Sequence, residues 1–478
     1  MGAKANKPLI LRDEIHGDMN FDPILKRIVD HESFQRLRHI KQLGLAEYVF
    51  PCATHTRFQH SLGACYLAGQ YYRSLLKAWQ GSSLQQLETG SENTQLFAHK
   101  TWECVRAVSS DIRSRDYWAV VAMSAGLLHD VGHGPWSHTF ETLGLKLDFD
   151  NLIMEMKGAV ASYFSELKRT GACFKHEDLS VLYLFHIFRT LAAEDPMPDY
   201  ENYFLPVALL IHPKLLRGPH APNAEGELEI VLKKSCVKGG VDFHRLLRPI
   251  ISGPFDVDRM DYIQRDGRNC GVFIGGIEWR RIVRKLIPCL AHHENNRNEP
   301  SDVVLLSNVK NQHVLDDFIF SLFQMYTQVY LHPKIVGLEE AIRMELSRNV
   351  RQLSKLTVTF EIHKNLTDEG FREILCKDLG ICSVDDILLR RPARDFKVAS
   401  FASDARMESE LAKQNFEKVK VELRPMMKDS VGVFLFQSIE SQSGAKLHSL
   451  KPWVAVSPVA RQFYEIEYSP EIWIRTSS

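Results

Sequence analysis

The sequence predicts a mainly α protein, with a large helical domain over residues 1–350 and a small α+β lobe over 351–478. Through most of the first 350 positions apolar residues recur at three- and four-residue steps, the signature of amphipathic helices. After about residue 355 the pattern changes to period-two alternation, which argues strands. With 478 residues, 45% hydrophobic and 25% charged, the chain has ample material for a core, which excludes a disordered chain, a collagen and a coiled coil.

Taken in order, Pro23 to Leu43 sets Leu25, Ile28, Val29, Phe34, Leu37 and Ile40 at helical spacing. Phe58 to Tyr72, Trp118 to Leu128, Val314 to Tyr330 and Gly337 to Leu346 repeat that habit. The polar stretch Gln80 to Thr101 and the Pro- and Gly-bearing stretch His212 to Gly226 read as surface loops. In the lobe, KVKVEL (418–423), VGVFLF (431–436) and FYEIEYSPEIWI (463–474) read as antiparallel strands.

Function classes narrow further. Lys and Arg total 59 and Asp and Glu total 59, so no global basic sheath for nucleic acid exists. The basic run Trp279 to Lys285 reads as a solvated helix face rather than a nucleic-acid contact. No apolar run is long enough to span a membrane and the N-terminus has no apolar signal core. Asn6 stands where a myristoylation motif wants Ser or Thr. The nine cysteines are scattered without a C-x-x-C pair, so the reading is a reduced, cytoplasmic protein whose cysteines are buried apolar thiols.

The strongest chemical signal is LLHDVGHGPWSH, Leu127 to His138. An apolar helix ends in His129-Asp130 and is broken by Gly132, Gly134 and Pro135. Imidazole plus carboxylate suits Zn, Fe, Mn or Ni. A further histidine, His60, lies upstream in RFQHSLG, and carboxylates Asp256, Asp258 and Asp261 lie downstream. Buried charges need partners or a metal, so the order H…HD…D, each member in an apolar helix, points to a metal site.

That order resembles the HD-domain metal-dependent phosphohydrolases. Phe34 to Gly69, Leu127 to Glu141 and Asp256 to Asp266 are similar, more closely, to the SAM and HD domain-containing deoxynucleoside triphosphate triphosphohydrolase and its bacterial relatives. The resemblance covers roughly residues 8–340, with no SAM domain ahead of it, from which a bacterial-type member is expected. It implies a helical HD phosphohydrolase core and His60, His129, Asp130 and Asp258 as ligands of a divalent transition metal, with Mg as a further ion carried by the nucleotide. It implies His133, His138, Glu141 and His176 as the catalytic group, Glu141 standing where the family has Asp.

The implied reaction is attack at the α-phosphorus, releasing deoxynucleoside and intact triphosphate. His138 would be the acid for the departing oxygen, and His133, oriented by Glu141 or His176, would position the water. Arg57, Arg259 (Lys in the family) and Lys41 would meet the triphosphate, with Tyr262 and Asp266 near phosphates and sugar. Gln42, Leu43 and Tyr330 match residues that crowd the 2′ position and so select against ribose. Leu322 and Leu331 replace a family Arg and Gln, which alters the substrate profile.

Asp30, Gln35 and Arg38 match a guanine-reading activator site and lie on one predicted helix, although Leu9 and Arg12 replace its Lys and Asn. The family also implies a homo-oligomer, as dimer, tetramer or hexamer. Two alternatives stand beside this reading: a phosphodiesterase or nuclease acting on oligonucleotides or cyclic nucleotides, and a non-catalytic, nucleotide-gated assembly module.

Overall fold

The computed structural model describes residues 8–80, 94–195, 199–216, 223–293 and 302–390. It also describes Ser457 and the strands Phe396–Val398, Phe416–Lys420, Val433–Glu440, Lys446–Pro452 and Glu471–Arg475. The fold is mainly α, as expected.

At its centre runs the 23-residue helix Arg57–Trp79, buried on nearly all sides. Helix Ile112–Leu128 and helix Val257–Asn269 pack against it. A helix buried all round has no polar face, which is why its sequence carries so few charges between Phe58 and Tyr72. Gly63 lets the last of these helices come close. A Cβ there would strike the Asp261 carboxylate and the Arg265 guanidinium.

Caps set the helix ends. The Asp256 carboxylate accepts from Arg259 N at 2.8 Å and opens helix Val257–Asn269. Thr56 N donates to Gln59 Oε1 at 2.8 Å and fixes the first turn of the central helix.

The predicted helix Pro23 to Leu43 is broken. Pro23–Asp30 ends at His31, whose extended backbone (φ −68°, ψ 136°) lets Nδ1 accept from Ser33 N at 3.1 Å and start Glu32–Gln35 afresh. A 3-10 turn, Arg36–His39, follows, and Lys41 to Leu43 are loop. The break turns Arg36 inward, where its Nη2 donates to Val131 O at 2.8 Å and His133 O at 2.6 Å. Leu43 is therefore not the helix residue its sequence suggests.

Both predicted loops are shorter than expected. Residues 81–93 lie outside the described residues, but Thr94–Leu96 is a strand and Ala98–Ser109 a helix. In the second stretch Pro213–Leu216 is a 3-10 turn and helix Ala224–Lys234 begins early; residues 217–222 lie outside the described set.

The C-terminal strands are found in part. Phe416–Lys420, Val433–Glu440 and Glu471–Arg475 overlap the three expected segments; residues 421–423, 431–432 and 463–470 lie outside the described residues. One pairing differs from the antiparallel expectation: Val433–Glu440 runs parallel to Asp302–Asn308, with Leu435 opposite Ser307. The strands Lys446–Pro452, Val433–Glu440, Asp302–Asn308, Ile287–His293 and Thr94–Leu96 lie in that order in one sheet.

A smaller apolar core joins helices beyond residue 330 to the central region. Leu338, Ile342, Phe371 and Leu375 pack with Leu45, Trp136 and Phe140. Of the nine cysteines, all free, only Cys65 and Cys289 are buried; Cys52, Cys173, Cys236 and Cys382 are exposed, against the expectation for all nine. Among the described residues no helix is long and apolar enough to cross a membrane.

Candidate active site

Two groups of histidines and acids meet at one cavity of about 460 Å³. The first group draws on three helices. His60 sits one turn into Arg57–Trp79, His129 caps the end of Ile112–Leu128, and Asp258 lies in the first turn of Val257–Asn269. The His60 and His129 Nε2 atoms are 3.2 Å apart, and Asp258 Oδ1 is 3.0 Å from the first and 3.4 Å from the second.

Hydrogen bonds fix the tautomers. His129 Nδ1 lies 2.9 Å from Gly126 O, an oxygen that only accepts, so Nδ1 carries the proton. His60 Nδ1 lies 2.9 Å from Asp261 Oδ2. Burial would raise the Asp261 carboxyl, but Arg265, at 2.8 Å, together with His16 and His60 holds it well below the usual range, so it accepts. Both Nε2 atoms therefore turn toward each other and toward the Asp258 carboxylate.

Two ring nitrogens and a carboxylate oxygen this close need positive charge among them, as protons or as a cation, and two imidazoles with one carboxylate suit a divalent transition metal. The same crowding shows in titration. Burial alone would push His60 down, but Asp258 and Asp261 raise it to about 10. The residues present thus fit a metal ion. Asp130, the fourth predicted ligand, adjoins the group: its carboxylate is 3.6 Å from His60 Nε2 and 3.5 Å from His129 Nε2, and it is held in an ion pair by Arg57.

The second group is built by the turn after the helix. His133 N donates to Asp130 O at 3.1 Å, and Gly132 passes so close to the next helix that a Cβ would meet Ser180 N and His176 O. Trp136 and Ser137 both have φ 55°, the left-handed region that non-glycine residues rarely adopt. That bend starts the short helix His138–Glu141, which puts His138 and Glu141 three residues apart on one side.

Glu141 Oε1 then meets His176 Nδ1 at 2.9 Å and His138 Nδ1 at 3.3 Å, with His133 Nδ1 beyond hydrogen-bond distance at 3.8 Å. The His133 and His176 rings stack at 4.0 Å. Burial lowers His133 well below its ordinary range, reinforced by Arg57 and His176, so it stays neutral. Burial would lower His176 too, but Glu141 and Glu177 raise it. His138, with 71% of its side chain exposed, stands at the mouth.

Gln42, Leu43, Arg57, Tyr262, Asp266 and Tyr330 line the same cavity. Asp266 is fixed by His55 Nε2 at 2.8 Å and by the Tyr330 hydroxyl, which donates at 2.8 Å. Two expected phosphate contacts are not brought in. Arg259 turns back to Asp256 and Gly253 O, because that buried carboxylate lies one turn behind it, and Lys41 pairs with Glu47. Leu322 and Leu331 are buried.

The expected activator residues share no single helix. Asp30 ends one helix, Gln35 ends the next and Arg38 lies in the 3-10 turn. Arg38 Nε donates to Gln35 Oε1 at 2.7 Å, whereas Asp30 faces Lys26 at 3.8 Å.

Sequence reading missed Asp261 as the anchor of His60, and also missed Arg36, Ser180 and Asp368, each of which holds a backbone atom of the 129–138 turn. It also missed Glu339, which lines the cavity and which burial raises to about 7. The acidic run Asp256 to Asp261 was the one available signal, and it named Asp261 without its partner.

No protein-family model matches the chain. It is 28% identical over 384 residues to the deoxynucleoside triphosphate triphosphohydrolase SAMHD1 of Bos taurus, covering 77% of this chain and 54% of that protein. It is 25% identical to the uncharacterized protein YwfO of Bacillus subtilis, over 73% of this chain and 58% of that one. The chain thus spans about half the length of the curated relatives it matches. A solved phosphohydrolase from Bacteroides thetaiotaomicron shares its fold, with a TM-score of 0.60 at 19% identity over 98% of this chain and 100% of that one. In sequence the chain is thus similar to the SAMHD1 deoxynucleoside triphosphate triphosphohydrolases, and in fold to the solved phosphohydrolase.

Proposed function

We propose that the chain hydrolyses deoxynucleoside triphosphates to deoxynucleoside and inorganic triphosphate, with a divalent metal ion held by His60, His129, Asp130 and Asp258. The observation that carries this reading is the inward-facing set of two Nε2 atoms and one carboxylate oxygen, beside a histidine–glutamate group on the same cavity. When bound, such an ion supplies Lewis acidity toward phosphate oxygens.

The rest falls to this chain's own side chains. Arg57, clamped by Asp130 and by Ser137 Oγ at 3.2 Å, gives a fixed positive charge to the polyanion. His133 is neutral, and its buried Nδ1 has no hydrogen-bond partner, so it can orient or deprotonate a water. Glu141 raises His176 against the effect of burial. His138 directs Nδ1 at Glu141, which leaves Nε2 to protonate the departing 5′ oxygen. Leu43 and Tyr330 crowd the ribose 2′-hydroxyl, with Gln42, Tyr262 and Asp266 completing the sugar side. A guanine-nucleotide activator site in a homo-oligomer would draw on Gln35 and Arg38, joined at 2.7 Å, with Asp30 coming from the separate helix Pro23–Asp30.

The test is an assay offering dNTPs, ribonucleotides and single-stranded DNA, with products identified by anion-exchange chromatography. Triphosphate from dNTPs is expected. Pyrophosphate or orthophosphate as first product would put attack at another phosphorus. Cut oligonucleotide would make the chain a phosphodiesterase. Nucleotide-dependent assembly without turnover would make it a binding module.

A further inference from the structure

We propose that Asp368 is a positioning residue for this site, tying the turn that carries His138 to the loop that carries Gln42 and Leu43. The inference rests on the hydrolase reading above and adds a residue from beyond position 350, 232 positions from one of its two partners and 327 from the other.

Each oxygen of the Asp368 carboxylate has its own task. Oδ1 accepts from Trp136 N at 2.8 Å and Oδ2 accepts from Lys41 N at 2.8 Å. Ser137 closes the ring from the other side, its Oγ donating to Lys41 O at 2.9 Å. Lys41 is therefore held at both its N–H and its carbonyl, immediately before Gln42 and Leu43. Trp136 is held immediately before Ser137 and His138.

The turn needs such a hold. Successive non-glycine residues at φ 55° persist only where surroundings over-determine them. Packing supplies part of this: the Trp136 ring lies 5.0 Å from Phe371, on the same short helix Asp368–Glu373, and Phe371 lies 5.3 Å from Phe140. Packing cannot satisfy two N–H groups at once. A carboxylate can, because it offers two acceptor oxygens, whereas an amide offers one acceptor and turns donors toward the other N–H.

The side chain is a poor choice for stability alone. Burial raises its pKa, so keeping it ionised at neutral pH works against folding, and the Lys41 ammonium that could offset it is paired with Glu47. A charge held against that tendency, where two active-site segments need one acceptor each, fits a role in geometry.

The full-length chain carrying Asp368→Asn, with Asp368→Ala beside it, tests this by hydrogen–deuterium exchange, metal analysis, melting temperature and kinetics. We expect faster exchange at the Lys41 and Trp136 amides, unchanged metal content and an unchanged or higher melting temperature in Asp368→Asn. Its kcat should fall about 10- to 100-fold, the scale of an ångström-sized misplacement. Wild-type kcat in Asp368→Asn, or a loss that only tracks lost metal or lowered melting temperature, overturns the proposal. If the unaltered protein turns over no dNTP, the substrate reading fails by itself. Exchange then decides the tether, and unchanged protection at both amides sinks it.

Discussion

The two histidine groups use the same residue types a few residues apart, yet their Nδ1 atoms are bonded in opposite directions. In the His60–His129–Asp258 group each Nδ1 is bonded to an acceptor outside the group, Asp261 or Gly126 O, so the Nε2 atoms face inward. In the His133–His138–His176 group the Nδ1 atoms of His138 and His176 are bonded to one oxygen of Glu141, an acceptor inside the group, while His133 Nδ1 lies 3.8 Å from it. The first arrangement suits a cation, and the second links two imidazoles to one carboxylate oxygen. Asp130 stands between them, its Oδ1 3.5 Å from both His129 Nε2 and His133 Nε2. What a histidine does is therefore set by where its other nitrogen is bonded, not by its being a histidine.

The severest way to break that contrast is to empty the first group. Asp258→Ala leaves two imidazoles without their shared carboxylate, and we expect turnover to vanish and bound metal to fall, read by elemental analysis of purified protein. Full metal and wild-type rate would remove the assignment. Next in size is His138→Ala, which should keep the metal and lose ~10²–10⁴-fold in rate, the usual contribution of a positioned acid. Loss of metal there would mean the two groups are one metal site.

Tyr330→Ala leaves both groups intact and opens the sugar side. We expect a deoxy-to-ribo preference of roughly a hundredfold in the unaltered chain, worth a few kcal/mol of clash, to shrink toward tenfold. Equal rates on dGTP and GTP in the unaltered chain would end the steric argument and spare the metal site.

The smallest effect is on stability. Burial raises Asp368 from 3.8 to about 6 against the pull of its two N–H donors and Lys41, with Glu47 adding to the rise. Between those values the folded state binds more protons than the unfolded one, so this group makes stability fall as pH rises through that window. Melting curves from pH 4 to 7 should show that decline in the unaltered chain and lose it in Asp368→Asn. A slope of the same size in both would show that Asp368 titrates normally.

Much of the scaffold was legible in the chain itself. Apolar spacing marked the helices Arg57–Trp79 and Ile112–Leu128, and glycine and proline marked the turn after Asp130. Such signals act within about one helical turn, through caps, φ preferences and side-chain periodicity, so the sequence alone determines them. The resemblance named fourteen residues that the cavity and its two groups bring together, from Gln42 to Tyr330.

Tertiary packing decided the rest. His60 meets Asp261 across 201 positions, Lys41 meets Asp368 across 327, and Arg259 turns away because a buried carboxylate lies one turn behind it. The helix expected through Asp30 and Arg38 broke at His31, freeing Arg36 to hold the carbonyls of Val131 and His133. Strand Val433–Glu440 took a parallel partner that no hairpin could supply. Periodicity tells which face of an element is apolar; it does not say which distant carboxylate will reach a given ring nitrogen. That choice is made only when the faces close on one another and each buried polar atom must find a partner.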